Sequence, residues 1–169
     1  MLALLPLALA VLQPAQDATA APVWTIREAT DATTGKRSAT AAIRSADGKA
    51  RLIVRCDTAA TPIISIQYIP TPRFAASDSR QVTLMFDDAK TDISVWEFPG
   101  SGAYYAEQVS VFLIVQQLAA AKRIHLTVDN PEGAAVESDF VGPGGDAMFR
   151  QVYAACGFPY EMPPVPVNS

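Results

Sequence analysis

The sequence predicts an α+β domain: a twisted antiparallel sheet, either open or folded into a sandwich, with two helices late in the chain packed on it. Two observations support this class. Eight segments either alternate apolar and polar residues or form short apolar runs bounded by turn residues, as β-strands do. Two later segments instead repeat apolar residues at helical spacing. Because strands and helices do not alternate regularly, the βαβ units of a parallel sheet are not expected.

The strand predicted at residues 51–56 joins a regular alternation to the first of two cysteines. Successive side chains of a strand point to opposite faces, so Leu52, Val54 and Cys56 share one face, which we expect to lie in the core. An Asp-Gly pair at residues 47–48 is the strongest hairpin signal of the chain. This pair predicts that the 51–56 strand runs antiparallel to the strand before it.

The first three strands are expected to form an antiparallel meander, because turn residues separate them. For one strand, residues 93–98, the inward face is not predicted, since apolar residues lie on both sides. The other strands are predicted, in chain order, at residues 23–28, 38–44, 63–69, 82–86, 124–128 and 136–140.

Two late segments change to a helical period. In residues 107–122, apolar residues recur at helical spacing around much of the circumference, which predicts a broadly buried helix. In residues 146–156, Phe149, Val152 and Cys156 lie on one stripe, so the second cysteine also faces the core.

The first residues have the pattern of an export signal. Residues 1–12 form an apolar run that is too short to cross a bilayer but has the length of a signal-peptide core. Ala18 and Ala20 supply the small residues that signal peptidase accepts. We therefore expect the mature chain to begin near Ala21 or Pro22.

The predicted organisation is a signal peptide at residues 1–20, a single globular domain at 21–157 and a proline-rich tail at 158–169. The prolines favour a tail that is extended and poorly ordered. No later apolar segment reaches about 18 residues, so no membrane anchor is expected after signal removal. The predicted location is the periplasm or the extracellular medium.

The predicted export bears on whether the two cysteines are bonded to each other. An even pair in an oxidising compartment is usually a disulfide, whereas in the cytosol two inert core thiols would be the usual interpretation. Since the leader predicts export, we expect Cys56 and Cys156 to be bonded. The disulfide would hold the central strand to the final helix.

Charge excludes some classes of partner. The net charge is −4, and lysine and arginine are scattered along the chain rather than clustered. Nucleic acid and an anionic membrane surface are therefore not expected as partners. The sequence predicts no cofactor, and it does not predict an oligomeric state.

No catalytic or metal-binding group is predicted from the titratable residues. His125 projects from the polar side of its strand, and the local pattern supplies neither a base-orienting partner nor a second metal ligand, so we interpret it as a solvated surface histidine. The acidic pairs at 87–88 and 137–139 lack the spacing of a calcium loop and are interpreted as turn residues.

A glycine-rich turn at residues 142–145 precedes the final helix. Such a turn can present backbone N–H groups to an anion. However, Asp146 stands where a negative ligand would lie and is a favourable N-cap residue, so we expect capping instead.

The best candidate interaction surface is the segment Ser101, Gly102, Tyr104 and Tyr105. Two adjacent tyrosines in a glycine-containing loop are difficult to bury together, and aromatic loops often contact partners. The segment resembles the Ser-Gly-x-x-Tyr loop of bacterial inhibitors of C-type lysozyme. Those proteins are all-β, whereas here a predicted apolar helix follows, so the match in this loop is expected to be coincidental. The segment is still predicted to be an interaction surface.

Several features together resemble the small exported bacterial proteins of the VasI kind, which are associated with type VI secretion. They are the signal peptide, the Leu-Ile-Val-Arg-Cys strand ending at Cys56, an aromatic strand at Trp96, the apolar helix, and the Phe140-x-Gly142 step into a helix that ends in Cys156. The resemblance implies an envelope accessory protein without known catalytic residues.

Three functions are consistent with these observations. The first is a non-enzymatic binding or accessory module that contacts another envelope protein. The second is a periplasmic hydrolase whose acidic residues, from segments such as Asp87, Glu97 and Asp139, converge only in three dimensions. The third is a purely structural envelope domain.

Overall fold

A computed structural model of the chain describes residues 22–58, 61–88, 90–130 and 133–164. The predicted signal peptide therefore lies outside the described residues. The elements are β1 (Thr25–Thr30), β2 (Arg37–Arg44), β3 (Ala50–Asp57), β4 (Ile63–Pro70), β5 (Ser77–Phe86), β6 (Lys90–Phe98), β7 (Ala103–Tyr105), α1 (Gln108–Ala120), β8 (Arg123–Val128), β9 (Val136–Val141) and α2 (Ala147–Ala155).

The strands form one antiparallel sheet in the order β1-β2-β3-β4-β7-β6-β5-β8-β9. Both helices follow β7, so the predicted α+β class with two late helices is confirmed. The meander of the first three strands is also confirmed, and it continues into β4. The ninth strand, β7, was not predicted, because three residues are too few to show an alternation.

The sheet bends back on itself, so that β4 meets the edge strand β9. The Tyr68 hydroxyl lies 2.9 Å from the Ser138 hydroxyl, and the Tyr68 ring packs edge-on against Phe140. In addition, the Ala46 amide of the β2–β3 turn donates to the Asp139 carbonyl at 2.8 Å. One continuous apolar core therefore lies inside the bend.

Strand β3 lies at the centre of the first half of the sheet and pairs along its length with β2 and β4. Leu52, Val54 and Cys56 are fully buried on the predicted face. On the opposite face, Arg51 and Arg55 are exposed, whereas Ile53 between them is buried.

The disulfide between Cys56 and Cys156 is present, with the two Cα atoms 5.6 Å apart and a separation of 100 residues. This distance is in the normal range for the bond. The bond joins β3 to the end of α2, which packs against β2 and β3. The predicted disulfide between the central strand and the final helix is confirmed.

The two helices begin differently. At α1, the Glu107 carboxylate accepts from the backbone N–H groups of Val109 and Ser110, at 3.1 and 2.7 Å. At α2, the predicted capping by the Asp146 side chain is wrong. The Asp146 backbone is already helical, with φ −97° and ψ −2°, and its carboxylate pairs with Arg150 at 2.7 Å instead of capping the helix.

The first part of the proline-rich tail is not loosely ordered. Phe158 and Tyr160 pack against the core. The Tyr160 ring contacts Phe112 of α1 and Tyr153 of α2 at centroid distances of 5.6 and 5.1 Å. Aromatic packing therefore holds the chain against both helices as far as Tyr160.

Candidate functional site

The predicted surface at Ser101, Gly102, Tyr104 and Tyr105 forms the entry to β7 and β7 itself, not a loop. Tyr104 is opposite Glu97 of β6 and lies on the outer face of the sheet. Tyr105 points to the inner face and stacks on the buried Trp96, with ring centroids 5.6 Å apart. The strand therefore separates the two tyrosines, and both are half-buried.

Gly102 has a structural role at this point. It is buried, and a Cβ at this position would overlap the backbone carbonyl of Tyr68 on the neighbouring strand β4. The absence of a side chain lets the chain approach β4 closely enough for β7 to pair with it. Ser101, in contrast, is exposed.

The most exposed large aliphatic side chains within the described strands lie on β6. Ile93 and Val95 are 62% and 63% exposed and lie two residues apart on the outer face. Glu97 continues the same row and is opposite Tyr104. We call these four residues, Ile93, Val95, Glu97 and Tyr104, the β6–β7 surface.

The inner face of β6 carries a chain of hydrogen bonds. The Trp96 indole N–H donates to the Ser94 hydroxyl at 2.9 Å, and this hydroxyl donates to the Asp92 carboxylate at 2.9 Å. Trp96 is fully buried, whereas Asp92 and Ser94 are half-buried. The buried aromatic ring and this chain of hydrogen bonds fix which side of β6 faces inward.

His125 is not the isolated histidine that the sequence predicts. The antiparallel β8–β9 pairing places it opposite Asp139, and its Nδ1 lies 2.8 Å from the Asp139 carboxylate. Its Nε2 lies 3.3 Å from the Thr127 hydroxyl, two residues along the same strand face. The resulting order, hydroxyl, imidazole, carboxylate, is that of a nucleophile, its base and the group that orients the base.

A shallow concavity of about 350 Å³ lies beside this pair, and Asp87, Asp88 and Arg123 also line it. Two of the three acids named for the hydrolase alternative, Asp87 and Asp139, are thus brought together. The third, Glu97, does not line the concavity. Asp88 is engaged in an ion pair with Arg123.

The Asp87 carboxylate is occupied by the backbone. It accepts from the N–H groups of Arg123 and Lys122 at 2.8 and 2.9 Å, and these bonds lower its pKa. Asp87 and Asp88 both have a positive φ, of 51° and 63°, in the turn that joins β5 to β6. We infer a structural role for Asp87: its carboxylate ties this turn to the start of β8.

An apolar cavity of about 190 Å³ lies between the tail, α1 and β4, lined by residues that include Ile64, Val111 and Met162. Tyr160 lies between Pro159 and Glu161, which line this cavity, and its buried hydroxyl has no hydrogen-bond partner within the described residues. Burial raises the pKa of Tyr160 to about 12.

Among the described residues, no group of three or more histidine, cysteine or acidic side chains is arranged to hold a metal ion. Neither α1 nor α2 combines the length and apolar character needed to span a bilayer. In comparisons with known proteins, no protein-family model, no curated protein and no solved structure matches this chain.

Proposed function

We propose that this protein is an exported, non-enzymatic module that binds another protein of the cell envelope through the β6–β7 surface. The observation that carries the proposal is the exposure of Ile93 and Val95, at 62% and 63%, side by side on a strand. Their neighbour Trp96 is fully buried, so the inner face of β6 packs in the core while its outer face is exposed to solvent.

The composition of the β6–β7 surface supports a protein partner. Its centre is aliphatic and one end carries the half-buried Tyr104. Aromatic and aliphatic side chains surrounded by polar ones are typical of protein interfaces. Glu97 lies between the aliphatic pair and Tyr104 and makes no ion pair or hydrogen bond with another described side chain.

The location rests on the leader and the disulfide. A bond between Cys56 and Cys156 is stable in an oxidising compartment and is rare in the cytosol. This supports the periplasm or the extracellular medium.

Capture from an envelope extract tests the proposal. The mature domain is immobilised without reductant, and the captured proteins are identified by mass spectrometry for the wild type, Val95→Lys and Val141→Lys. Val141 is the matched control, because it is also an exposed aliphatic residue on a strand, at 47%, but lies on β9. We expect a specific protein to be retained by the wild type and Val141→Lys and lost by Val95→Lys. Equal capture by all three forms would contradict the proposal.

Hydrolysis is a second candidate function, favoured by the ordered contacts among Thr127, His125 and Asp139. It ranks below binding because Thr127 does not line the neighbouring concavity, and because Asp87 and Asp88 already bind backbone N–H groups and Arg123. A panel of nitrophenyl esters assayed with the wild type and His125→Ala decides between them. Turnover that His125→Ala abolishes would favour the hydrolase.

A further inference from the structure

The described sheet has backbone edges without a strand partner at the outer strands β1 and β9 and along parts of the inner strands β4, β5 and β6, and the edges at β1 and β9 are protected. Strand β1 is highly exposed, and its Glu28 pairs with Arg37 of β2 at 2.9 Å. Charged side chains of this kind discourage the pairing of a further strand. Strand β9 is covered, since the Trp24 indole donates to the Val141 carbonyl at 2.7 Å and the β2–β3 turn donates to another β9 carbonyl.

Among the inner strands, β6 carries its partly unpaired edge beside the exposed pair Ile93 and Val95. On one side, β6 pairs with β5 from Lys90 to Phe98. On the other side, its only contact with another described strand is between Glu97 and Tyr104 of β7. From Thr91 to Val95, the part of the chain that the structure describes supplies no strand on that side. Alternate backbone N–H and C=O groups of these residues therefore have no strand partner.

The β6 edge differs from the edges at β1 and β9 in its side chains. Two of its outward residues, Ile93 and Val95, are β-branched, strongly exposed and suited to cross-strand pairing. Its inward residues, Asp92 and Ser94, are polar and held by the hydrogen bonds that lead to Trp96. An inward-pointing acid limits indiscriminate edge pairing.

We infer that the partner docks by adding one extended segment of its chain to β6 as a further strand, from Thr91 to Val95. This inference rests on the proposed function and specifies its mode. The open backbone groups select an extended main chain, because only a strand offers donors and acceptors at the matching spacing. About five residues are involved, a length of about 17 Å.

The side chains of β6 specify the composition of that segment. Its outward residues should be aliphatic to pair with Ile93 and Val95, and its inward residues should be small and polar to lie beside Asp92 and Ser94. Glu97, which has no ion-pair partner among the described residues, favours a lysine or arginine at the end of the segment that lies beside it.

A second copy of this chain fits the edge less well. A stable interface between two globular proteins buries about 800 Å² on each partner, and a five-residue edge supplies only a small part of that area. An extended segment does not need such an area, because main-chain hydrogen bonds supply much of its affinity.

The test uses the mature, oxidised protein and a fluorescent, acetylated and amidated seven-residue peptide in which arginine is first and threonine and valine alternate after it, so that the arginine lies beside Glu97 when the peptide pairs antiparallel to β6. Two further peptides carry N-methyl groups on alternate amides, one on the odd and one on the even positions. Because only alternate amides of an added strand face the edge, one methylated peptide should bind about tenfold more weakly and the other should retain binding. Replacing the arginine by glutamate should also weaken binding.

The protein variants complete the test. Val95→Lys should weaken binding of the unmodified peptide about tenfold, and Val141→Lys should leave it unchanged. The strand inference is overturned if the peptide does not bind, if both methylated peptides bind equally well, or if the wild type forms a dimer that Val95→Lys dissociates. If any of these occurs while Val95→Lys still loses the envelope partner, the proposed function stands and only the docking mode fails. If Val95→Lys keeps that partner, the proposed function itself fails.

Discussion

Reduction of the Cys56–Cys156 bond is expected to lower the stability of the fold substantially. The bond closes a loop of 100 residues. In the chain-entropy model, a loop of this size limits the unfolded chain enough to contribute about 4–5 kcal/mol, and measured losses for native disulfides are about 2–5 kcal/mol. Domains of this kind are stable by only about 5–15 kcal/mol, so the loss is a large part of the total.

Urea denaturation followed by tryptophan fluorescence measures this effect, since Trp96 is fully buried and reports unfolding of the core. With a denaturant dependence of about 1–3 kcal/mol per molar urea, the midpoint should fall by roughly 1–3 M when the wild type is reduced. The double variant Cys56→Ala/Cys156→Ala separates the cross-link from packing. Its midpoint should lie at or somewhat below that of the reduced wild type, because both cysteine positions are buried and alanine leaves unfilled space.

An unchanged midpoint after reduction, with both thiols available to alkylation, would contradict a stabilising role of the disulfide. A double variant much less stable than the reduced wild type would also contradict it. In that second case, packing around the sulfur atoms, rather than the closed loop, would supply the stability.

Three further predictions concern single side chains. Gly102→Ala should destabilise the fold by about 1–3 kcal/mol in urea denaturation, because the new methyl group would overlap the Tyr68 carbonyl, whereas the exposed Ser101→Ala should change stability by less than about 0.5 kcal/mol. The pKa of Asp87 is lowered in the fold from its ordinary value of 3.8, so the stability that its ionised carboxylate contributes is fully present above pH 3.8 and is lost as the pH falls through the lowered pKa. Asp87→Asn should therefore flatten the loss of stability in acid. An unchanged acid profile would contradict the role given to its backbone hydrogen bonds. Tyr160→Phe should leave thermal stability unchanged or raise it slightly, because it removes a buried hydroxyl that has no partner among the described residues, and a clear loss would reveal a hydrogen bond to that hydroxyl.

The regular strands could be predicted from the sequence because their alternation is unambiguous. In β3, the predicted face of Leu52, Val54 and Cys56 is fully buried, and Arg55 between Val54 and Cys56 points to the other face and is exposed. In β6, the sequence offers two apolar rows of similar strength. Local alternation does not show that Trp96 is buried while Val95 faces solvent, since that choice depends on the strands that pack against β6.

The His125–Asp139 contact was missed because the prediction considered only the pattern within β8. The sequence did contain a usable signal, the turn at residues 130–133 between two predicted strands. A hairpin closed by this turn brings residues near 125 opposite residues near 139, and His125 and Asp139 are such a pair. The open edge of β6 had no comparable signal, because it depends on how little of β7 pairs with it.

The most direct test of the proposed binding role is photo-crosslinking in living cells. A photoreactive phenylalanine analogue is placed at Val95 or, as a control, at Arg27 on the exposed edge strand β1, and the crosslinked products are analysed under non-reducing conditions. We predict one discrete crosslinked partner from position 95, attached through an extended segment of that partner, and none from position 27. The same products from both positions, or no product from position 95, would contradict binding through the β6–β7 surface.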